Sequence, residues 1–191
     1  AAEAIAAARE LGYPVVLKAL SEKISHKSDV GGVKVDLRTA DEVGAAYDDL
    51  TARLRRRDPD LRVLVQRMVR GGREILLGMA REPHFGPILM FGLGGIFVEV
   101  LRDVSVRVHP LTDLGARAMI ERVKGYPLLA GARGEPPVAL ARVEEGLLRL
   151  SQLVSDFEDE LAELDLNPFI VTERPEDCFV VDARISLTDR R

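Results

Sequence analysis

The chain has 191 residues, 47% apolar and 30% charged, with a formal net charge of −4, which sets it among globular proteins able to build one sizeable core or two smaller lobes. The acidic balance speaks against a nucleic-acid binder; no run approaches the ~20 apolar residues of a membrane span; and Glu3, Arg9 and Glu10 in the Ala-rich start are unlike a signal peptide, so a cytoplasmic location is the default expectation. The lone cysteine, Cys178, excludes an intrachain disulfide and a cysteine-cluster metal site, and histidines at 26, 84 and 109 are too scattered for a zinc site.

Glu3 to Leu11 is rich in helix formers and stops at Gly12, a C-cap glycine followed by Pro14. Tyr13 to Lys18 reads as a buried strand ending in a cation, and Val33, Val35 and Leu37 alternate with Lys34 and Asp36 as a second strand. The loop between them contains Ile24-Ser25-His26-Lys27-Ser28-Asp29-Val30-Gly31-Gly32. Its glycines permit φ > 0 and can turn backbone N–H groups toward an anion, with Lys18, Lys27 and Lys34 as nearby positive charge; the same composition suits an ordinary hairpin loop with solvated lysines. No G-x-x-x-x-G-K-[ST] loop and no dinucleotide fingerprint is present. His26 carries two readings as well: an imidazole able to accept a phosphoryl group near pH 7, or a solvated loop histidine.

Thr39 caps a helix from Ala40 to Arg57 with Val43, Ala46, Tyr47, Leu50 and Leu54 on one face. Leu61 to Val69 and Glu74 to Ala80 read as strands of a hairpin turning at Gly71-Gly72. Ile88 to Phe91, Ile96 to Val100 and Ser105 to Val108 follow as strands, with a glycine cluster at Gly92, Gly94 and Gly95. Leu111 to Val123 and Val138 to Phe157 have helical spacing, and the acidic run Asp156 to Glu163 reads as the solvated end of the longer helix. Pro168 to Thr172 and Phe179 to Ile185 close the chain as strands. The plan is α+β with a largely antiparallel sheet in its second half. In the last hairpin Asp165, Asn167, Asp182 and Arg184 alternate with apolar neighbours, so they can share one sheet face. That face suits a hard cation such as Mg²⁺, or is simply a wet outer surface.

Four ordered motifs carry a resemblance: Gly12-Tyr13-Pro14-Val15-Val16-Leu17-Lys18; His26-Lys27-Ser28-Asp29-Val30-Gly31-Gly32-Val33; Phe85-Gly86-Pro87 with Phe91-Gly92-Leu93-Gly94-Gly95-Ile96-Phe97-Val98-Glu99; and Leu164-Asp165-Leu166-Asn167-Pro168 with Val181-Asp182-Ala183. Together they resemble the ATP-grasp domain of the nucleoside-diphosphate-forming acyl-CoA synthetases, the family of ADP-forming acetate–CoA ligase and, more distantly, of the succinyl-CoA synthetase β subunit. The resemblance implies an ATP-grasp fold with nucleotide between two α+β lobes, here an N-terminal lobe at 1–65 and a C-terminal lobe at 66–191 carrying the metal-binding hairpin. The chain begins inside the family pattern, without the strand and loop that precede the first helix, and is read as truncated at its start. His109 departs from the pattern, standing where a small apolar residue is expected.

The resemblance also implies roles. Lys18 holds nucleotide phosphates; Gln66, Met68 and Val69 belong to the hinge whose backbone receives adenine; Glu74 lies near the ribose or phosphates; Gly31 and Gly32 are in the lid over the phosphates; Glu99 and Arg107 flank the nucleotide. Asn167 and Asp182 look like Mg²⁺ ligands, Asp165 is placed to meet a phosphohistidine, and His26 is the candidate relay that carries phosphate between the CoA-binding partner and ADP. The implied enzyme is an acid–thiol ligase (acid + CoA + ATP ⇌ acyl-CoA + ADP + phosphate). No CoA-binding Rossmann pattern is present, so the thioester half is expected from another subunit or a fused domain, in a hetero-oligomer or an oligomer of a fused chain, and this chain is expected to be inactive alone. The alternative is a ligand-sensing, synthetase-like regulatory domain of a protein acetyltransferase fusion; joint retention of His26, Asn167 and Asp182 favours the ligase. A third possibility, an ATP-grasp ligase making an acyl-phosphate, needs an acceptor site that the sequence does not display.

Overall fold

Helix α1 (Ala2–Leu11) opens the computed structural model, built from alanines and straight-chain residues and ended by Gly12. The structure describes residues 1–21, 23, 24, 27, 29–95, 102–132 and 134–188. Contacts divide it into two units, Ala1–Met68 and Val69–Arg191.

In the first unit, β1 (Val15–Leu20) lies between β2 (Val33–Leu37) and β3 (Arg62–Arg67), antiparallel to both. Helix α2 (Ala40–Leu54) is started by Thr39, whose hydroxyl accepts from Glu42 N–H at 3.2 Å, while the Glu42 carboxylate accepts from Arg38 N–H at 2.6 Å. Val15 and Leu17 of β1 pack with Ala4, Ala8, Val43 and Ala46 of the helices, and Ala19 packs with Leu50 and Leu54. This leaves the opposite face of the sheet without a helix from this unit.

The second unit is organised by β4 (Arg73–Glu82), flanked by β5 (Gly86–Leu93) and β7 (Leu161–Val171), with β6 (Val104–Val108) beyond β5. Two short strands, β8 (Phe179–Val180) and β9 (Ala183–Leu187), pair with successive parts of β7. All these pairings are antiparallel. Ile75, Leu77 and Met79 alternate along β4 and are buried with Leu89, Phe91 and Leu93 of β5 beneath the helices. Helix α3 (Asp113–Arg122) contributes Ala116, Met119 and Ile120, α4 (Tyr126–Leu129) contributes Leu129, and α5 (Leu140–Asp156) contributes Val143, Leu147, Leu150 and Val154. Each fully buried aliphatic or aromatic side chain stabilises by about 1.5–3 kcal/mol, so the layer resists losing its helical face. Among the described residues no helix is long and apolar enough to cross a membrane.

The structure departs from two readings of the sequence. The runs expected to form a hairpin at Gly71-Gly72 do not pair: β3 belongs to the first sheet and β4 to the second. Both glycines have positive φ, so they turn the chain between sheets. The acidic run is not a helix tail throughout, since α5 ends at Asp156 and β7 starts at Leu161. A register shift between Leu161 and Glu163 places Leu161 and Leu164 both inside, which hides the two-residue period of a strand. Helix α4 was not foreseen, being only four residues long. The expected strand from Ile96 to Val100 lies outside the described residues.

Candidate functional site

Two groups of candidate residues form, one in each unit. In the first, Val15, Leu17 and Ala19 point into the helices, so Val16, Lys18 and Leu20 face the other side. There Lys18 stands opposite Val33 on β2 and Leu64 on β3, and Val16 stands opposite Gln66. Lys18 is only 7% exposed, unusual for a lysine. At the end of β3, Met68 N–H donates to the Pro14 carbonyl at 3.1 Å. The next amide, Val69 N–H, has no hydrogen-bond partner among the described residues.

The glycine turn is tied down from both sides. Gly32 N–H donates to the Lys27 carbonyl at 2.6 Å, Ala19 N–H donates to the Gly32 carbonyl at 2.7 Å, and Arg53 Nη2 donates to the Gly31 carbonyl at 3.0 Å. Gly31 has φ +64°, which favours glycine, and a Cβ there would fall 2.9 Å from the Arg53 guanidinium and push that flexible side chain off the Gly31 carbonyl. The Gly32 N–H is therefore spent inside the turn and not offered to an anion. Lys34 is also reassigned: its Nζ is 2.7 Å from Asp49 on α2, and this hydrogen bond leads the effects that hold the Asp49 carboxyl below its ordinary range. His26 lies outside the described residues.

What holds the other root of this loop could not be read from the neighbouring residues. Asp58, 5% exposed, accepts from Lys23 Nζ and from Asp60 N–H, both at 3.1 Å. Its carboxyl is held below the usual range, foremost by the Ser21 hydroxyl, against the opposing effect of burial, and further by Lys23 and Asp60 N–H. Asp58 is 35 residues from Lys23, and Arg53 is 22 from Gly31, so no local motif could have shown either tie.

In the second unit, the register of the closing hairpin places Asp165 of β7 directly opposite Arg184 of β9. Asn167 N–H donates to the Asp182 carbonyl at 3.2 Å, which continues the pairing by one pleat. Asp165 and Asn167 therefore share a face with Arg184 and Asp182, away from the buried Leu164. On the other side Asp165 is opposite Gly78, and Gly78 is opposite Met90, which is opposite Val106. Glu74 and Leu76 follow Gly78 along β4 on the same face. The face thus runs from an apolar floor (Leu76, Met90, Val106) to a polar corner. Burial, first, and then the Glu163 carboxylate push the Asp165 carboxyl up; Arg184 opposes them and Asp182 adds to them.

Glu74 is held close to the glycine cluster, with Gly94 N–H donating to its carbonyl at 2.7 Å. Glu99 lies outside the described residues. Arg107 is not brought to the polar corner. It stands opposite Leu89, so it shares the helix-covered face, and a Cβ on Gly115 of α3 would lie 4.0 Å from its Cδ. The two-residue period of β6 was legible, but not which parity faced the helices.

Among the described residues no group of three His, Cys, Asp or Glu side chains could hold a metal. Asn167 and Asp182 supply hard oxygen donors but only two of them, which fits Mg²⁺, an ion that keeps waters and takes substrate phosphate oxygens. A cavity of about 560 Å³ lies elsewhere in this unit, on the helix side between α5 and the β7 hairpin. Leu150, Leu164, Phe169 and Ile185 give it an apolar part, and Arg142, Glu145, Arg149 and Glu176 line it as well.

Comparison with known proteins gives three kinds of match. A family profile described as an ATP-grasp domain matches residues 1–187. The chain is 44% identical over 188 residues to subunit β of the ADP-forming acetate–CoA ligase II of Pyrococcus furiosus, covering 97% of this chain and 80% of that subunit. It is 46% identical over 189 residues to the ADP-forming 4-hydroxybutyrate–CoA ligase of Nitrosopumilus maritimus, covering 97% of this chain but 27% of that longer protein. Among solved structures, the acetyl-coenzyme A synthetase 1 of Ca. Korarchaeum cryptofilum is similar with a TM-score of 0.83 and 45% identity, over 98% of this chain and 82% of that one. That structure contains coenzyme A and Mg-AMPPCP, with a phosphohistidine segment pointing towards the nucleotide-binding site.

Proposed function

This chain belongs to the ATP-grasp domain family of the ADP-forming acyl-CoA ligases, and from that membership we propose that it is the nucleotide-binding part of such a ligase. The reaction is acyl-CoA + ADP + phosphate ⇌ acid + CoA + ATP, with the thioester half supplied by a CoA-binding subunit or fused domain. Both arrangements occur among its relatives, one a separate β subunit and another a protein of which this chain matches about a quarter.

The observation that carries the reading is the polar corner on the second sheet, where two cross-strand pairs place Asp165, Asn167, Asp182 and Arg184 together beside an apolar floor. Asn167 and Asp182 hold Mg²⁺. The bound ion supplies neutralisation of the charge on the transferring phosphoryl oxygens. Lys18 binds nucleotide phosphates, Val69 N–H and the neighbouring backbone of Gln66 and Met68 receive the base, and Glu74 lies toward the ribose. Arg107 has no part in this reading, while Glu99 keeps its place on the strength of the sequence.

Phosphate travels through His26. In the direction of ATP synthesis, the N–P bond of phosphohistidine breaks as a terminal oxygen of ADP forms the new P–O bond, and the ring nitrogen recovers its electron pair. Asp165 orients the incoming imidazole by accepting its other N–H. The Gly31-Gly32 turn, anchored by Arg53, fixes one root of the loop that carries His26, and Asp58 fixes the other.

Incubation with Mg²⁺ and ATP labelled at its terminal phosphate tests this. The expected product is acid-labile, base-stable label on the wild-type chain and none on His26→Ala. A sensing domain would bind the nucleotide without acquiring label, and label that persisted in His26→Ala would remove the relay.

A further inference from the structure

Arg184 has no place yet in the scheme, although it stands at the centre of the polar corner. It is directly opposite Asp165 and two residues along β9 from Asp182, so its guanidinium shares their face. Several of the chain's arginines that have a carboxylate within reach are tied to it: Arg38 to Asp36 at 2.6 Å, Arg53 to Asp49 at 3.0 Å, Arg117 to Glu144 at 3.1 Å and Arg174 to Glu176 at 3.0 Å. The Arg184 side chain forms no hydrogen bond or ion pair with any described residue, even with Asp165 across from it and Asp182 nearby. It is exposed, and its charge reaches Asp165 only through space.

A cation beside a metal site is counterproductive if the metal is the only guest, because it repels the ion that the carboxylates attract. The arrangement makes physical sense when a polyanion arrives together with the metal. Two carboxylates and a divalent ion roughly cancel, and the guanidinium then leaves an excess of positive charge for a terminal phosphoryl group. Its planar fork matches two non-bridging oxygens at once, which an ammonium cannot do.

Resting on the nucleotide reading above, the geometry points to Arg184 as the residue that grips the terminal phosphoryl group of the nucleoside triphosphate beside Asn167 and Asp182. A nucleoside diphosphate, lacking that group, does not engage it. The residue therefore helps the site distinguish triphosphate from diphosphate, and it holds the phosphoryl group in place on either side of the transfer.

The test compares Mg-AMPPCP with Mg-AMPCP by calorimetry on wild type, Arg184→Gln and Arg184→Lys, with thermal denaturation of each variant alongside. Arg184→Gln is expected to weaken Mg-AMPPCP by about tenfold or more, the equivalent of one lost charge-assisted contact, and to leave Mg-AMPCP within about twofold. Arg184→Lys is expected to fall between, because it keeps the charge and loses the fork. Equal weakening of both analogues, or no weakening of Mg-AMPPCP, overturns the assignment while sparing the nucleotide reading. If Arg184→Gln fails to fold, the Arg184→Lys comparison decides, since a purely structural counter-charge would leave the ratio of the two affinities unchanged. A wild-type chain that binds neither analogue overturns both.

Discussion

Replacing Asp103 by Ala should unfold the second unit's helical layer more readily than any comparable loop substitution. The Asp103 side chain, 8% exposed, accepts from Lys124 N–H at 2.9 Å and from Gly125 N–H at 2.8 Å, through separate oxygens. It thereby joins the chain entering β6 to the turn between α3 and α4. Hydrogen bonds to a charged acceptor contribute about 1.5–3 kcal/mol each, and removing the acceptor leaves two donors in a crowded place. Gly125 confirms the crowding, since a Cβ there would lie 2.9 Å from the Leu93 methyls. The expected loss is about 3–5 kcal/mol, or a fall in Tm of roughly 10–15 °C for a chain of this size. Urea denaturation should show a lower midpoint with unchanged slope, and hydrogen exchange should accelerate at the Lys124 and Gly125 amides. Asp103→Asn keeps one acceptor oxygen and should lose less. A change below about 1 kcal/mol, or unaltered exchange at those two amides, would refute the reasoning, because it would mean that water replaces the carboxylate at little cost.

Asp182→Asn should weaken Mg²⁺-dependent nucleotide binding by about tenfold or more while leaving Tm nearly unchanged, because a partly exposed carboxylate contributes little to stability; calorimetry with and without Mg²⁺ reads this. Asp58 has a carboxyl held below its ordinary range, so the stability it contributes is present above its unfolded pKa, near 3.9, and is lost as pH falls through the folded value. Urea midpoints measured from about pH 3 to pH 6 should therefore fall more steeply toward acid in wild type than in Asp58→Asn, and parallel profiles would contradict this.

Much of the site was legible before any coordinates, for reasons that differ by residue. The alternation of Asp165, Asn167, Asp182 and Arg184 with apolar neighbours predicts a shared face, and the β7–β9 register delivers it. Thr39 was readable as a cap because a cap acts within one helical turn, and it accepts from the N–H three residues on. Arg107 was misplaced because period 2 gives two faces without naming them. The supposed hairpin at Gly71-Gly72 failed because adjacency along the chain does not say whether a turn joins two strands or two sheets. Lys34 looked like a free loop cation until Asp49, on the next helix, was brought to it. Asp58 and Asp103 escaped notice because their partners are made by the fold and not by the neighbouring sequence.

The most direct measurement is ATP formation from acyl-CoA, ADP and inorganic phosphate by this chain combined with its CoA-binding partner. Turnover should require both components and Mg²⁺, and His26→Ala should abolish it while keeping nucleotide affinity within about twofold of wild type. ATP formation by the partner alone, or undiminished turnover in His26→Ala, would contradict the account.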